Sequence, residues 1–398
     1  MSEVQISGFV ADGFEQVRDA FVTNFTDHGD VGAGCAVYVG GELKVDLVGG
    51  VADPKTEAPY TDDTLQLVFS TTKGAAAVCA HILADRGLLD FDAPVTTYWP
   101  EFGQAGKQDV PVRWLLGHRV GLPVVDNPPP LAEVLKWDPI VEALARQTPV
   151  WEPGTQHGYH ALTYGWLVGE VVRRISGQSI GDFFAENVAK PLGLDFWIGL
   201  PDSEQHRVSD MIAGHPGEGM PDLSALPPEI LERIGDLATA FMDPTSLLNR
   251  ALHLDGTFAL EGRMPWNTPE VRAAQIPAAN GVTNARSLAG MYAATIGEVG
   301  GVRLLSDEAV KRACEEQSNG RDACLIMDSR FGLGFFIPST FSPLYGPSSF
   351  GHAGAGGSLG LADPESGVGF GYVMNQMSAN LSADPRTITL IDAVKASL

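Results

Sequence analysis

Residues 73–87, KGAAAVCAHILADRG, are apolar on almost every face until Gly87. A helix with no polar side must run through the middle of a fold, sheathed by other elements. LQLVF (65–69) reads as a strand leading into it, with Ser70 at the join. A chain of 398 residues can enclose such a helix, burying about three quarters of its unfolded surface without a disulfide or metal staple. Its length alone corresponds to roughly two or three domains.

The flanking pattern tells where the sheath comes from. Val10, Phe14, Val17, Phe21 and Phe25 recur at helical spacing and stop at Gly29, which predicts an opening amphipathic helix. CAVYVGGELKVDLVGGVAD (35–53) predicts a hairpin turned at Gly40-Gly41. From about 90 to 280, helical segments alternate with Pro-rich loops such as DNPPP (126–130) and MPDLSALPPE (220–229). Ala161, Tyr164, Gly165, Val168, Val171, Val172 and Ile175 share one helical face, ending in Arg173, Arg174 and Gly177 as dipole and capping favour.

A helix is expected near 284–297, followed by strand-like runs at FGLGFFIP (331–338), SLGLAD (358–363) and VGFGYVMN (368–375) and a closing helix in TLIDAVKASL (389–398). Strands at both ends around a helical middle predict an α+β fold. One antiparallel sheet is completed by both termini (1–65 plus 285–398) and flanked by terminal helices, with a mostly helical domain inserted (66–284) and the site at their interface.

The net charge of −23 repels phosphate backbones and anionic bilayers, so neither nucleic acid nor membrane is an expected partner. Cys35, Cys79, Cys314 and Cys324 form no Cys-x-x-Cys pair and read as free, mostly buried thiols, with a Cys314–Cys324 bridge as the minor alternative. The opening MSEVQISGFVADGFE lacks the basic start and apolar run of a signal peptide, and no stretch approaches 18 apolar residues, so a reducing cytoplasm is expected.

Three segments carry chemistry. Ser70-Thr71-Thr72-Lys73 places a hydroxyl and an amine nearly one helical turn apart, on one face. Alone, Ser70 would read as a helix cap. Lys73, however, lies on a helix too apolar for an idle ammonium, and burial together with the helix N-terminus would depress its pKa toward a usable base. Tyr159, in Gly158-Tyr159-His160-Ala161, is a candidate general base and acid if a neighbouring cation lowers the phenol pKa; alone it would be an ordinary half-buried tyrosine, and His160 a packing residue.

GHAGAGGSLGLADPESG (351–367) offers backbone N–H groups for an oxyanion, or else is a plain glycine-rich hairpin. Gly356-Gly357-Ser358-Leu359-Gly360 within it matches the Gly-x-Ser-x-Gly elbow, but no helix, acid and histidine follow in order, so Ser358 is not the expected nucleophile. His-Glu-x-x-His and Walker signatures are missing, and neither a metal nor a cofactor is implied.

With these three segments in this order, the chain resembles the serine β-lactamase and penicillin-binding-protein superfamily, and within it the family VIII carboxylesterases related to class C β-lactamases. Ser70-Thr71-Thr72-Lys73 is similar to the family's nucleophile motif, Tyr159 to the tyrosine of its Tyr-x-Asn, and His352-Ala353-Gly354 stands in the place of Lys-Thr-Gly, where substrate binds. LLGHRVGLP (115–123) and NARSLAGMYAA (284–294) are similar to supporting segments. The resemblance implies a β-lactamase/transpeptidase-like fold and an oxyanion hole at the N–H groups of Ser70 and Ala355.

Ala161 stands where β-lactamases carry asparagine, and His352, mostly neutral at pH 7, where they carry lysine. Both departures disfavour β-lactam or peptidoglycan turnover and leave a neutral ester acceptable. By the resemblance to the family VIII esterases, the expected activity is hydrolysis of a small, short-chain acyl ester through an acyl-enzyme on Ser70. An acyltransferase or small-amide hydrolase, a weak β-lactamase or DD-peptidase, and a non-catalytic penicillin-recognising binding module stand as alternatives.

Overall fold

The computed structural model describes residues 4–214, 228–258, 264–340, 342–378 and 384–398. Its main sheet takes strands from both ends of the chain: β1 (Ile6–Val10), β2 (Gly32–Val39), β3 (Glu42–Asp53), β4 (Phe350–Ala353), β5 (Leu359–Asp363) and β6 (Val368–Met374). The order is β1-β3-β2-β6-β5-β4, antiparallel throughout, with a short strand at Ala58–Pro59 added to β3. Pairing of β2 with β6, in which Cys35 faces Tyr372, closes the two ends into one sheet. The hairpin turned at Gly40-Gly41 is present, starting three residues earlier than its apolar run suggests.

The strands alternate as a two-faced sheet requires. Val368, Phe370, Tyr372 and Met374 face a core shared with Phe14, Val17 and Phe21 of the N-terminal segment and with Leu390, Ile391 and Val394 near the C-terminus. Those flanking residues belong to α1 (Glu15–Asp27), with Phe14 at its cap, and to the closing helix Pro385–Ala396. The intervening Gly369 and Gly371 let the helix Ala285–Ile296 lie on the opposite face: a Cβ on Gly371 would fall 2.5 Å from the Ala285 carbonyl oxygen. Phe14, Val17 and Phe21 do share a buried helical face, but Val10 does not belong to it. Val10 ends an edge strand, opposite Val45 in β3, and the turn at Gly13 (φ +89°) separates strand from helix.

The apolar helix α2 (Thr72–Asp85) is buried from Thr72 to Leu83, as its composition requires. It shares a core with α3 (Thr163–Ser176), which ends on Gly177 in the left-handed conformation. The helix at 285–296, here α4, and the closing helix 385–396, here α5, also follow the sequence pattern.

Two features depart from it. FGLGFFIP forms isolated bridges at Phe331 and Phe336, because the N–H of Gly332 closes a tight turn onto the Phe335 carbonyl at 2.9 Å. A small four-stranded sheet, Phe196–Ile198, Gly281–Thr283, Leu65–Leu67 and Val208–Ser209, crosses the helical region, its members too short to leave a periodic signal. Most of the Pro-rich MPDLSALPPE segment lies outside the described residues. The four cysteines are free, with Cys314 only partly buried. Among the described residues no helix is long and apolar enough to cross a membrane.

Candidate active site

The strand Leu65–Leu67 delivers the chain to Val68, whose N–H donates to the Gly281 carbonyl at 2.9 Å. Phe69 then takes φ +44°, a left-handed conformation that a bulky side chain rarely adopts. It is held there from both ends. Its ring meets Trp266 edge-on at 5.5 Å, and its carbonyl accepts from Thr72 Oγ1 at 2.5 Å, while Thr72 Oγ1 accepts from the Gly281 N–H at 2.8 Å. Strain of this kind persists where the surroundings over-determine it. The result is a single 3-10 turn, Phe69–Thr71, ahead of α2. Ser70 therefore sits just before the helix, and its N–H precedes the first turn bond, from the Thr71 N–H to the Val68 carbonyl at 3.2 Å.

Lys73 is 0% exposed, and its Nζ lies 3.1 Å from Ser70 Oγ, 2.7 Å from the Ala161 carbonyl oxygen and 3.0 Å from that of Ala278. As an ammonium, Lys73 donates to all three oxygens; once neutral, it keeps its two N–H bonds to the carbonyls, which can only accept, and turns its lone pair to the Ser70 hydroxyl. Burial holds the Lys73 pKa well below the ordinary lysine value.

Tyr159 completes the cluster. Its ring centroid is 4.7 Å from Lys73 Nζ and its phenol hydrogen-bonds Ser70. The expected lowering of the phenol pKa is reversed: burial raises it, with the Ser70 hydrogen bond only a partial offset. The nearby Asp322 carboxylate adds to the rise.

Tyr159 is fixed through its backbone, which sequence reasoning missed. Its N–H donates to Asp322 Oδ1 at 2.9 Å, an atom that also accepts from the N–H groups of Cys324 and Leu325, each at 2.8 Å. Asp322 Oδ2 accepts from Ser329 Oγ at 2.8 Å. Nothing in the local NGRDACL sequence announces this tie, since it joins residues 163 positions apart. His160 is a staple: its Nδ1 donates to the Gly158 carbonyl at 2.6 Å and its Nε2 accepts from the Leu122 N–H at 2.9 Å. Burial lowers its pKa to about 3.

The β4–β5 turn supplies the remaining wall. Gly354 rests on the Ser70 turn, and its N–H donates to the Ser358 carbonyl at 2.7 Å. Ser358 is buried, donates to the Val68 carbonyl at 2.9 Å and shares a 3.0 Å hydrogen bond with Thr71 Oγ1. It opens a strand instead of a helix, so the Gly-x-Ser-x-Gly match is structural. Ala353 is partly buried, and Ala355 stands exposed at the tip of the turn. His352 is 1% exposed, its pKa pushed well down by burial, with Nδ1–H donating to the Ala353 carbonyl at 2.7 Å. Nε2 is thereby left a bare acceptor, on a ring 4.5 Å from Phe336.

An α+β fold whose sheet carries helices on both faces, with serine, lysine and tyrosine converging at the head of a buried helix, defines the β-lactamase/transpeptidase class. The Beta-lactamase family model matches residues 17–395, and the chain belongs to that family. It is 35% identical over 374 residues to the Esterase/beta-lactamase LipL of Mycobacterium tuberculosis, covering 92% of this chain and 82% of that protein. The crystal structure of a family VIII carboxylesterase superposes with a TM-score of 0.85 at 38% identity, over 99% of this chain and 100% of the other. A penicillin-binding protein homolog from Caulobacter crescentus gives 0.83 at 38% identity, over the same shares.

Proposed function

We propose that this protein is a serine carboxylesterase that hydrolyses small, short-chain acyl esters through an acyl-enzyme on Ser70. The observation that carries the reading is the buried Lys73 amine, with two carbonyls accepting from it and the Ser70 hydroxyl at its third position. As Ser70 Oγ bonds the ester carbonyl carbon, its proton passes to the Lys73–Tyr159 pair. The N–H groups of Ser70 and Ala355 receive the developing oxyanion. The carbon–oxygen bond to the alcohol then breaks, the alcohol leaving with a proton through Tyr159. Water enters by the reverse path and releases the acid.

An ester fits better than a β-lactam for two reasons. Ala161 brings only a methyl group and a carbonyl already engaged by Lys73, so no side-chain amide is available to hold a substrate amide. His352 is buried and neutral, so it offers no cation to a substrate carboxylate. Fluorophosphonate labelling followed by peptide mapping tests the mechanism, and the adduct is expected on Ser70. Turnover of p-nitrophenyl acetate should exceed that of nitrocefin by orders of magnitude; comparable rates, or an adduct elsewhere, would overturn the assignment. Acyl transfer to added alcohol that outpaces hydrolysis at low acceptor concentration would move it to the acyltransferases.

A further inference from the structure

Beneath the Ala355 turn lies a buried polar knot that this chemistry leaves unused. Arg386, in the first turn of α5, is 2% exposed, and all five of its N–H bonds are taken. Nε donates to Asp384 Oδ1 at 3.0 Å. Nη2 donates to Asp384 Oδ2 at 2.7 Å and to the Gly356 carbonyl at 2.5 Å. Nη1 donates to Asp30 Oδ1 and to the Gln376 carbonyl, both at 2.9 Å. Asp30 is held in turn by the Tyr372 hydroxyl, which lies 2.8 and 2.6 Å from its two oxygens. The Gly356 carbonyl takes a second hydrogen bond from the Ser378 N–H at 2.9 Å. Gly357 closes over the guanidinium: at φ +124°, a Cβ there would fall 2.3 Å from Arg386 Nη2.

The turn needs such a hold. Three of the four residues 354–357 are glycines, two of them at positive φ (Gly356 +85°, Gly357 +124°), and glycine backbone has the most freedom to lose. Ala355 is exposed and borrows no rigidity from packing of its own. An oxyanion donor is effective when it is already aimed before charge develops. Gly354 is braced on one side by the Ser70 turn, and Arg386 grips the other side at Gly356. We propose that Arg386 is a positioning residue for the oxyanion hole: locked between Asp30 and Asp384, its guanidinium fixes the Gly356 carbonyl and thereby the direction of the Ala355 N–H. The inference rests on the reading that Ala355 is an oxyanion donor. A lysine cannot reproduce it, because one ammonium cannot hold four partners in a planar fork.

The test compares p-nitrophenyl acetate with its thionoacetate analogue, in which sulfur replaces the carbonyl oxygen and accepts hydrogen bonds poorly. Arg386→Lys is expected to lower kcat on the oxygen ester about 10- to 100-fold, with KM within about threefold. The thionoester rate should fall much less, so the ester-to-thionoester ratio shrinks. Asp30→Asn, which keeps the shape and loosens the guanidinium, should move the ratio the same way by a smaller factor and serves if the lysine variant does not fold. Equal loss on both substrates with an unchanged ratio, or wild-type kcat, would overturn the proposal. Fluorophosphonate labelling of each variant separates the two layers: an unlabelled Ser70 in the parent protein sinks the catalytic reading itself, whereas a labelled Ser70 with an unmoved ratio sinks only the role of Arg386.

Discussion

Gly354 lies so close to Val68 that a Cβ on it would fall 2.2 Å from the Val68 carbonyl oxygen, and equally near Ser358 Oγ. The glycine is what allows the β4–β5 turn to seat on the strand end that carries Ser70. Gly354→Ala must push the turn away and take the Ala355 N–H with it. Losing one oxyanion donor typically costs about 10²–10³ in rate. A loss of kcat in that range is expected with a modest drop in thermal midpoint, checked by steady-state kinetics and calorimetry. A variant with more than a third of parent activity would contradict the placement.

The dry setting of Lys73 fixes the sign of the pH dependence. Burial shifts Lys73 toward its neutral form, and the charged form gains as pH falls. Activity should therefore disappear on the acid side, as the amine is protonated, and stay level above that limb. Lys73→Arg keeps a group that cannot give up its charge and should retain under about 1% of activity at every pH. An acid limb unchanged in position in a partly active Lys73 variant would assign it to another group.

Burial raises the Tyr159 phenol pKa, so it is a resting acid, and the leaving group is where its loss should tell. Tyr159→Phe should cost about 10²–10⁴ on an alkyl ester, whose alkoxide needs a proton. On a p-nitrophenyl ester, whose phenolate leaves unaided, the cost should be distinctly smaller. Equal losses on the two esters would show that the phenol acts before the leaving-group step.

How far the sequence discloses this site follows from what each part depends on. Ser70 and Lys73 are legible because three residues on a helix set their geometry locally, and the unbroken apolar run makes the burial of the amine unavoidable. The sheet closed by both chain ends is legible from VGFGYVMN, where alternation shows one face and glycines mark the other. The sign of the Tyr159 shift is not legible in the sequence, because it depends on how deeply the finished fold buries the phenol. Asp322 and Arg386 are invisible, since each acts on backbone groups brought close only by the finished fold. FGLGFFIP fails for the opposite reason: its composition suits a strand, but Gly332 and Gly334 fold it into a turn that places Phe331 and Phe336 around Tyr159.

Ser358 provides a control for the competing nucleophile. Its hydroxyl ties the β5 end to Val68 and Thr71, so Ser358→Ala should keep at least about a third of parent activity. It should lower stability by about 1–2 kcal/mol, the usual cost of an orphaned buried partner. Activity assays beside urea denaturation decide this. A folded but inactive Ser358→Ala protein would return the Gly-x-Ser-x-Gly reading to consideration.

Acid stability should be set by buried histidines. His160 and His81 are fully buried, and desolvation lowers their pKa values to about 3 and about 4, from an ordinary value of 6.5. The unfolded chain takes up those protons near pH 6.5 while the folded chain refuses them. Their contribution is therefore complete above pH 6.5 and is lost as pH falls toward the folded values. By pH 4.5 each histidine has given up about 3 kcal/mol. Asp30 opposes them, because burial raises its carboxyl to about 6. Folding then favours its protonated form, which returns about 2 kcal/mol over the same interval. The histidines win, so the urea midpoint should drop clearly between pH 7 and pH 4.5. His81→Gln, which can still donate to the Leu333 carbonyl, should be less stable than the parent at pH 7 and close to it or above it at pH 4.5. Parallel pH profiles for the two proteins would show that His81 keeps its ordinary proton affinity inside the fold.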